Sequence, residues 1–491
     1  DRVLEAQQVL ELLKIQELDD YLRNLRGSDR PAQSLDYSQA ERHIIDLYNQ
    51  AIVQGQELSK LRQIPEGNRT PAEQQRIAEL VANQQNLIES FDDFLDRPEV
   101  AEAIRQLSRT SRRQNLDLEQ LNGLQDNLRN LNQNAVLLYP FILNDRLELV
   151  LVTPYSTPIR RTVTVTREEL NKAIAQFRVL LTDRTSDPEP QAQQLYQWLI
   201  KPIEQDLKQV NAETILYAPD AQLRYIPLAA LHDGEQWLIQ RFQINSITAA
   251  SLTDFDTPPD KTVRVLAGAF TEGNVNFQVG SRQFSFRGLP FAEVEIDNIA
   301  AEIPDTTTLV NRAFSPQATI PRMDDYTVVH LATHAEFVPG QPDESFILFG
   351  NGDRVPLRDI STWSLPNVDL VVLSACETAV GGELGNGEEI LGLGYQVQRT
   401  GARAAIASLW SVDDGGTQVL MNAFYSGLEG GLTKAEALRQ AQIALITGEA
   451  SSMSARRGTV EIVSAQTGLS ERAQLDSPYY WAPFILIGNG L

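Results

Sequence analysis

Apolar positions recur with a helical period from residue 1 to about 133, as at Leu118, Leu121, Leu124, Leu128 and Leu131, and no strand-like alternation interrupts them. An all-α segment follows from this pattern. Within it, Thr70-Pro71-Ala72-Glu73 sets a cap, a proline at the first helical position and a returning glutamate in order, and Ile77, Leu80, Val81 and Leu87 supply a buried stripe. The stretch 26–38, with Gly27, Ser28, Pro31 and Ser34, reads as the loop after a first helix. No regular helical repeat emerges, although 36–96 has room for one degenerate helical hairpin.

At Ala135 the pattern changes. Residues 135–143 and 147–152, around Asn144-Asp145, predict two strands joined by a tight turn, and 162–165 predicts a third. A second capping box, Thr166 to Glu169, opens a helix to about Leu181. A polar break over 182–191 then precedes a helix ending near Val210 and a short strand over 215–218. Further on, continuous apolar runs at 263–269, 328–332, 370–374, 404–409 and 484–487 alternate with helical patterns at 292–303, 388–399, 417–428 and 434–446. Strands that are apolar on both faces and separated by helices predict a mainly parallel sheet covered on both sides, an α/β sandwich.

Composition narrows the function classes. The 491 residues exceed one ordinary core, and a 42% apolar fraction can fill two or three. No run reaches the roughly 18 consecutive apolar residues of a membrane-spanning helix, so the chain reads as soluble, with no membrane partner. With 65 Asp and Glu against 42 Lys and Arg, the net charge of −23 repels phosphates and excludes nucleic acid as a partner. One cysteine and four histidines offer no zinc-ligand spacing, so neither a metal nor another cofactor is expected. Because the sequence opens on Asp1, it reads as processed or cut from a longer chain. A cytoplasmic location is the expectation, with an exported form as the alternative.

In parallel sheets reactive groups gather at the carboxyl ends of strands. The strand beginning at Thr327 ends at His334, and the strand beginning at Asp369 ends at Cys376, so neighbouring strands would bring a histidine and a thiol to one edge. Such a pair can form a thiolate that attacks a carbonyl carbon. The backbone N–H groups of Ala335 and Cys376, read as lying in turns just beyond the two strands, are the natural donors to the oxyanion. His330, inside its strand, reads as a core histidine, and His232, in a turn, and His43, on a helix, have no catalytic role. Gly381, Gly382, Gly385 and Gly387 lack a following Lys-Ser/Thr and precede Glu388-Glu389. They read as a mobile loop beside the nucleophile, not as a phosphate cradle.

The words around these residues are distinctive. Val329 to His334, Leu373 to Thr378, Gly401 to Asp414 and Pro478 to Phe484 each resemble a block of the CHAT family, caspase-like domains related to separases and often attached to tetratricopeptide repeats. Tyr217 to Leu231 and Leu289 to Ala292 resemble its upstream blocks, and the resemblance covers about 135–491. It implies a caspase-like α/β sandwich in two halves, a non-catalytic one over 134–262 and a catalytic one over 263–491, preceded by the helical region 1–133. It also places the family's histidine on His334 and its cysteine on Cys376. Ala335 departs from the glycine common in related peptidases.

These features predict a regulated cysteine endopeptidase that cleaves a protein or peptide substrate, with 1–133 as a docking region for a regulatory protein. The alternatives are a catalytically silent interaction module on the same fold, and thiol chemistry such as acyl transfer. Asp413 and Asp414, by likeness to separases, would floor a pocket for a basic residue before the cut, with Trp410 as a wall. Equally, one of the two carboxylates would cap the next helix, leaving a pocket that prefers an uncharged residue.

Overall fold

The structure, a computed structural model, describes residues 134–491 except 157, 251–252, 254, 256–261, 281, 339–343, 361, 379–386, 413 and 450–474. It also describes 61, 69–77, 79–80, 124–125, 127–129 and 131, and gives the backbone alone at 358, 375–378, 388–391 and 414. Contacts separate a unit over 28–121 from a unit containing 122–491. In the smaller unit, residues 71–77 are helical and the expected box is formed. The Thr70 N–H donates to Glu73 Oε2 at 2.7 Å, the Glu73 N–H donates to Thr70 Oγ1 at 3.3 Å, and Leu80 is fully buried. In the larger unit the helical residues 124–125 and 127–129 dock on the sheet, where Gln125 Nε2 donates to the carbonyls of Thr153 and Ser156 and Arg129 Nε to that of Pro154.

Apolar runs decide which strands are central. β1 (Ala135–Ile142) and β2 (Leu147–Val152) are buried along almost their whole length, whereas β3 (Ile159–Val163) alternates half-buried and exposed positions, as an edge strand does. These three form an antiparallel meander, and β1 pairs in parallel with β4 (Thr214–Tyr217), which pairs in parallel with β5 (Gln243–Ser246). The later strands β6 (Val265–Ala269), β9 (Thr306–Val310), β10 (Val328–Phe337), β13 (Leu370–Thr378) and β14 (Ala404–Ser408) run parallel in the order β9-β6-β10-β13-β14. β15 (Phe484–Gly488) lies antiparallel to β14 and parallel to β5. One 13-stranded sheet therefore runs through both expected halves, with β11 (Phe346–Leu348) and β12 (Arg354–Pro356) added beside the end of β10.

Helices cover both faces of the parallel strands, so the α/β sandwich is as expected. α1 (Arg167–Leu181) starts at the Thr166–Glu169 capping box. The expected second helix is instead broken at Lys201-Pro202 into α2 (Glu189–Leu199) and the short helix Glu204–Gln209, because proline lacks the N–H needed to continue. Val328, Leu370, Val372 and Ile406 share a core with Ile296 of α3 (Pro290–Glu302), Phe424 of α5 (Asp414–Glu429) and Leu438 of α6 (Lys434–Ile446). On the opposite face Val329, Leu331, Val371 and Leu373 pack with Leu393 and Val397 of α4 (Glu388–Arg399). Gly394 lets α4 approach β15, since a Cβ there would lie 2.3 Å from Ile487 Cγ2.

The meander is locked by Glu148, whose side chain is 8% exposed. It accepts from Arg146 Nε at 2.8 Å, Arg160 Nη2 at 2.6 Å and Thr162 Oγ1 at 2.7 Å. Burial alone would raise its pKa, but hydrogen bonds from Arg160, Thr162 and Arg146 outweigh it and bring the carboxyl to about 2. A carboxylate with a depressed folded pKa stabilises fully above its unfolded value, about 4.3, and loses that stability as pH falls through the folded one. Glu148→Gln should therefore cost about 2 kcal/mol in urea unfolding at pH 7, and the gap to the parent should shrink between pH ~4.3 and ~2.

Candidate active site

β10 and β13 carry the two residues singled out by the sequence. From Val328↔Leu370 to Leu331↔Leu373 the parallel register is regular; it then resumes at His334↔Ala375 and Ala335↔Cys376. Ala332 and Thr333 thus stand opposite the single residue Ser374, a bulge that locally bends the strand. Thr333 Oγ1, fully buried, pins it by donating to the Leu348 carbonyl of β11 at 2.7 Å. Cys376 is one register step along from the partner of His334. With strands ~4.8 Å apart and ~3.3 Å per residue, their Cα atoms are on the order of 6 Å apart.

A hairpin supplies what the sequence reading lacked. β7 (Asn274–Val279) and β8 (Arg282–Arg287) form a separate two-stranded sheet whose Phe277, Phe284 and Phe286 pack on Phe346 of β11. The half-buried His334 ring lies 4.8 Å from Phe286 and 6.1 Å from Phe270, centroid to centroid. Its Nε2 donates to the Arg287 carbonyl at 2.7 Å. A carbonyl only accepts, so this contact assigns the proton of the neutral ring to Nε2 and the lone pair to Nδ1. The hairpin's signal was legible: Val275, Phe277 and Val279 alternate before Gly280, whose φ of +57 suits the turn, and Phe284 and Phe286 alternate after it.

The oxyanion expectation needs one correction. Ala335 and Cys376 are not in turns, because β10 continues to Phe337 and β13 to Thr378; Ala335 pairs on both sides, with Cys376 and with Ile347. The β11 strand, unread in the sequence, prolongs the ladder past the histidine. Trp410, 4% exposed, belongs to the main core and donates from Nε1 to the Tyr479 carbonyl, so it supports the segment after β14 from beneath. Asp414 opens α5, and Asp413, like His43, Gly381, Gly382 and Gly385, lies outside the described residues.

The two other described histidines make structural contacts. His330 is fully buried, with Nδ1 2.9 Å from the Tyr425 hydroxyl; its Nε2 lies 2.8 Å from Glu295 Oε1, close but poorly aligned for a hydrogen bond. Burial and then the Glu295 charge hold the Tyr425 phenol well above its usual pKa. His232 Nδ1 accepts from the Gly234 N–H, and its ring meets Trp237 edge to face. Among the described residues no group of three His, Cys, Asp or Glu could hold a metal, and no helix is long and apolar enough to cross a membrane.

Among solved structures, the chain is similar to the Saccharomyces cerevisiae separase–securin complex at 9% identity and a TM-score of 0.45, covering 99% of this chain and 40% of that one. It is also similar to the Arg-specific cysteine proteinase gingipain R at 10% identity and a TM-score of 0.36, covering 66% and 75%. A complex of the Porphyromonas gingivalis RgpB pro- and mature domains follows at 8% and 0.38, covering 66% and 77%. The chain therefore spans less than half the length of the separase chain it matches. No curated protein matches it. A family model described as the CHAT domain matches residues 189–489, from the first residue of α2 to the residue after β15 and well over half of the sequence, so the chain belongs to the CHAT domain family.

Proposed function

We propose that this protein is a cysteine endopeptidase in which Cys376 is the nucleophile and His334 the general base. The observation that carries the reading is the pairing of β10 with β13, in which His334 and Cys376 lie one register step apart at the carboxyl ends of adjacent parallel strands, while the Arg287 carbonyl fixes the ring's tautomer. His334 Nδ1 takes the Cys376 Sγ proton, and the thiolate adds to the scissile carbonyl carbon. With Ala335 paired on both sides, the donor to the oxyanion is the backbone N–H of Cys376, which lies beyond the β13–β14 pairs. Collapse expels the amine, which leaves with the proton from His334, and water then hydrolyses the thioester to release the acid and the thiol. The substrate is a protein segment, and residues 1–133 are the region where a regulatory protein docks.

A peptide library cut by the parent protein tests this directly. Cys376→Ala should lower turnover at least about a thousandfold without changing the thermal midpoint; equal turnover in the two proteins overturns the reading, and no turnover in either leaves the catalytically silent module as the function.

Iodoacetamide provides a second check that needs no substrate. The parent's Cys376 should be alkylated faster than a model thiol near neutral pH, and His334→Ala should slow it about tenfold. Equal rates would make the cysteine merely accessible.

The acidic pair after β14 is tested by Asp414→Asn. Loss of cleavage after Arg or Lys by about tenfold, with uncharged sites spared, assigns the carboxylate to the pocket. Unchanged preference with a lower thermal midpoint assigns it to the start of α5.

A further inference from the structure

Arg178 belongs to α1, in the half to which the sequence gives no catalytic residue, yet it reaches the catalytic half. Only 6% exposed, it donates from Nη1 to the Tyr225 carbonyl and from Nη2 to the Leu409 carbonyl, both at 3.1 Å, and its guanidinium lies 5.4 Å from the Tyr225 ring centroid. Leu409 is the residue just past β14, and Ser411 and Val412 follow it. β14 runs parallel to β13 and β10, so this segment emerges at the same sheet edge as His334 and Cys376.

One turn beyond Arg178, α1 ends, and Thr182, Asp183 and Arg184 face Ser411, Val412 and Tyr479 across a groove of about 480 Å³. Both walls are tied down. Tyr479 donates from its hydroxyl to the Ser411 carbonyl at 3.3 Å, and Trp410 Nε1 holds the Tyr479 carbonyl at 3.1 Å. On the facing wall, Asp183 accepts from the Thr185 N–H and from the Thr185 and Ser186 hydroxyls, the first-named hydroxyl doing most to keep its carboxyl below the usual range. Arg178 is the buried link between the walls. It sits on the helix that carries one and bonds the carbonyl from which the other starts.

We infer that this groove receives the substrate polypeptide beside the scissile bond and that Arg178 is the positioning residue that sets its width, so that the half without a nucleophile helps to choose the substrate. The inference rests on the peptidase reading. A planar guanidinium can serve two carbonyls at a fixed angle, whereas an ammonium cannot reproduce that fork. Loss of the fork would let the Leu409–Val412 segment drift relative to α1 without touching β10 or β13.

The test compares Cys376 alkylation by iodoacetamide, too small to use the groove, with alkylation by two peptidyl chloromethyl ketones that differ in the residue next to the reactive carbon. In Arg178→Lys the iodoacetamide rate should stay within about twofold of the parent, while the ratio between the two peptidyl reagents changes about tenfold. In Thr182→Trp, which fills the groove from an exposed position, both peptidyl rates should fall about tenfold with the iodoacetamide rate retained. Because a ratio does not depend on how much of the sample is folded, a merely structural Arg178 would leave it unchanged, and that result overturns the inference while the dyad stands. A parent protein that reacts no faster with either peptidyl reagent than with iodoacetamide overturns the peptidase reading, and this inference with it.

Discussion

The parallel ladder between β10 and β13 is the constraint on which the rest depends. Each strand is apolar on both faces, and each face has its own core, so neither strand can slip by one residue without turning a whole row of side chains into the wrong layer. The two cores thereby fix the register, and the register fixes where the strand ends come to lie. The bulge at Ala332-Thr333 is the one irregularity in the ladder, and it is held by a buried hydrogen bond to β11, an element that precedes β13 in the chain but lies on the far side of β10. The position of the histidine is thus set by three strands together.

The next dependence is on β15. It comes from the end of the described chain, yet it fills the place between β14 and β5 and so joins the parallel strands β9-β6-β10-β13-β14 to the strands of the earlier half. Gly394 on α4 and the Arg178 fork act at the same seam, one by letting a helix close on β15 and the other by crossing from α1 to the exit of β14. The two halves share a hydrophobic cluster as well as a sheet. The helical residues 124–125 and 127–129 just before β1 belong to the same body and are tied to it through Gln125 and Arg129, which donate to carbonyls around Thr153 and Pro154.

Polar groups inside the core are placed where helices meet β10. His330, Glu295 and Tyr425 come from β10, α3 and α5, and their contact orients two helices against one strand. Lys434, at the first position of α6, is buried without a hydrogen-bond partner among the described residues, and burial, with the Arg403 charge, lowers its pKa to about 7. The shift is toward the neutral amine, the form that costs less to enclose in the core.

Much of this was local and therefore legible in the sequence. The continuous apolar runs of β1, β10, β13 and β14, the Thr166–Glu169 box and the helices that follow the strands depend on neighbours within a few residues, and periodicity reports such neighbours directly. His334 and Cys376 were legible because each closes such a run. The strands the reading missed are short or two-faced: β5 and β9 are half polar, β11 and β12 have three residues each, and the β7–β8 hairpin buries its phenylalanines against β11 rather than against the main cores. Only the tertiary structure decided that β10 carries a bulge, that β10 runs past the histidine, that a carbonyl from a distant hairpin holds its ring, and that β15 and Arg178 close the seam. Each of those is a contact between residues far apart in the chain, made by backbone groups or by single side chains, and such contacts leave no period for a sequence to show.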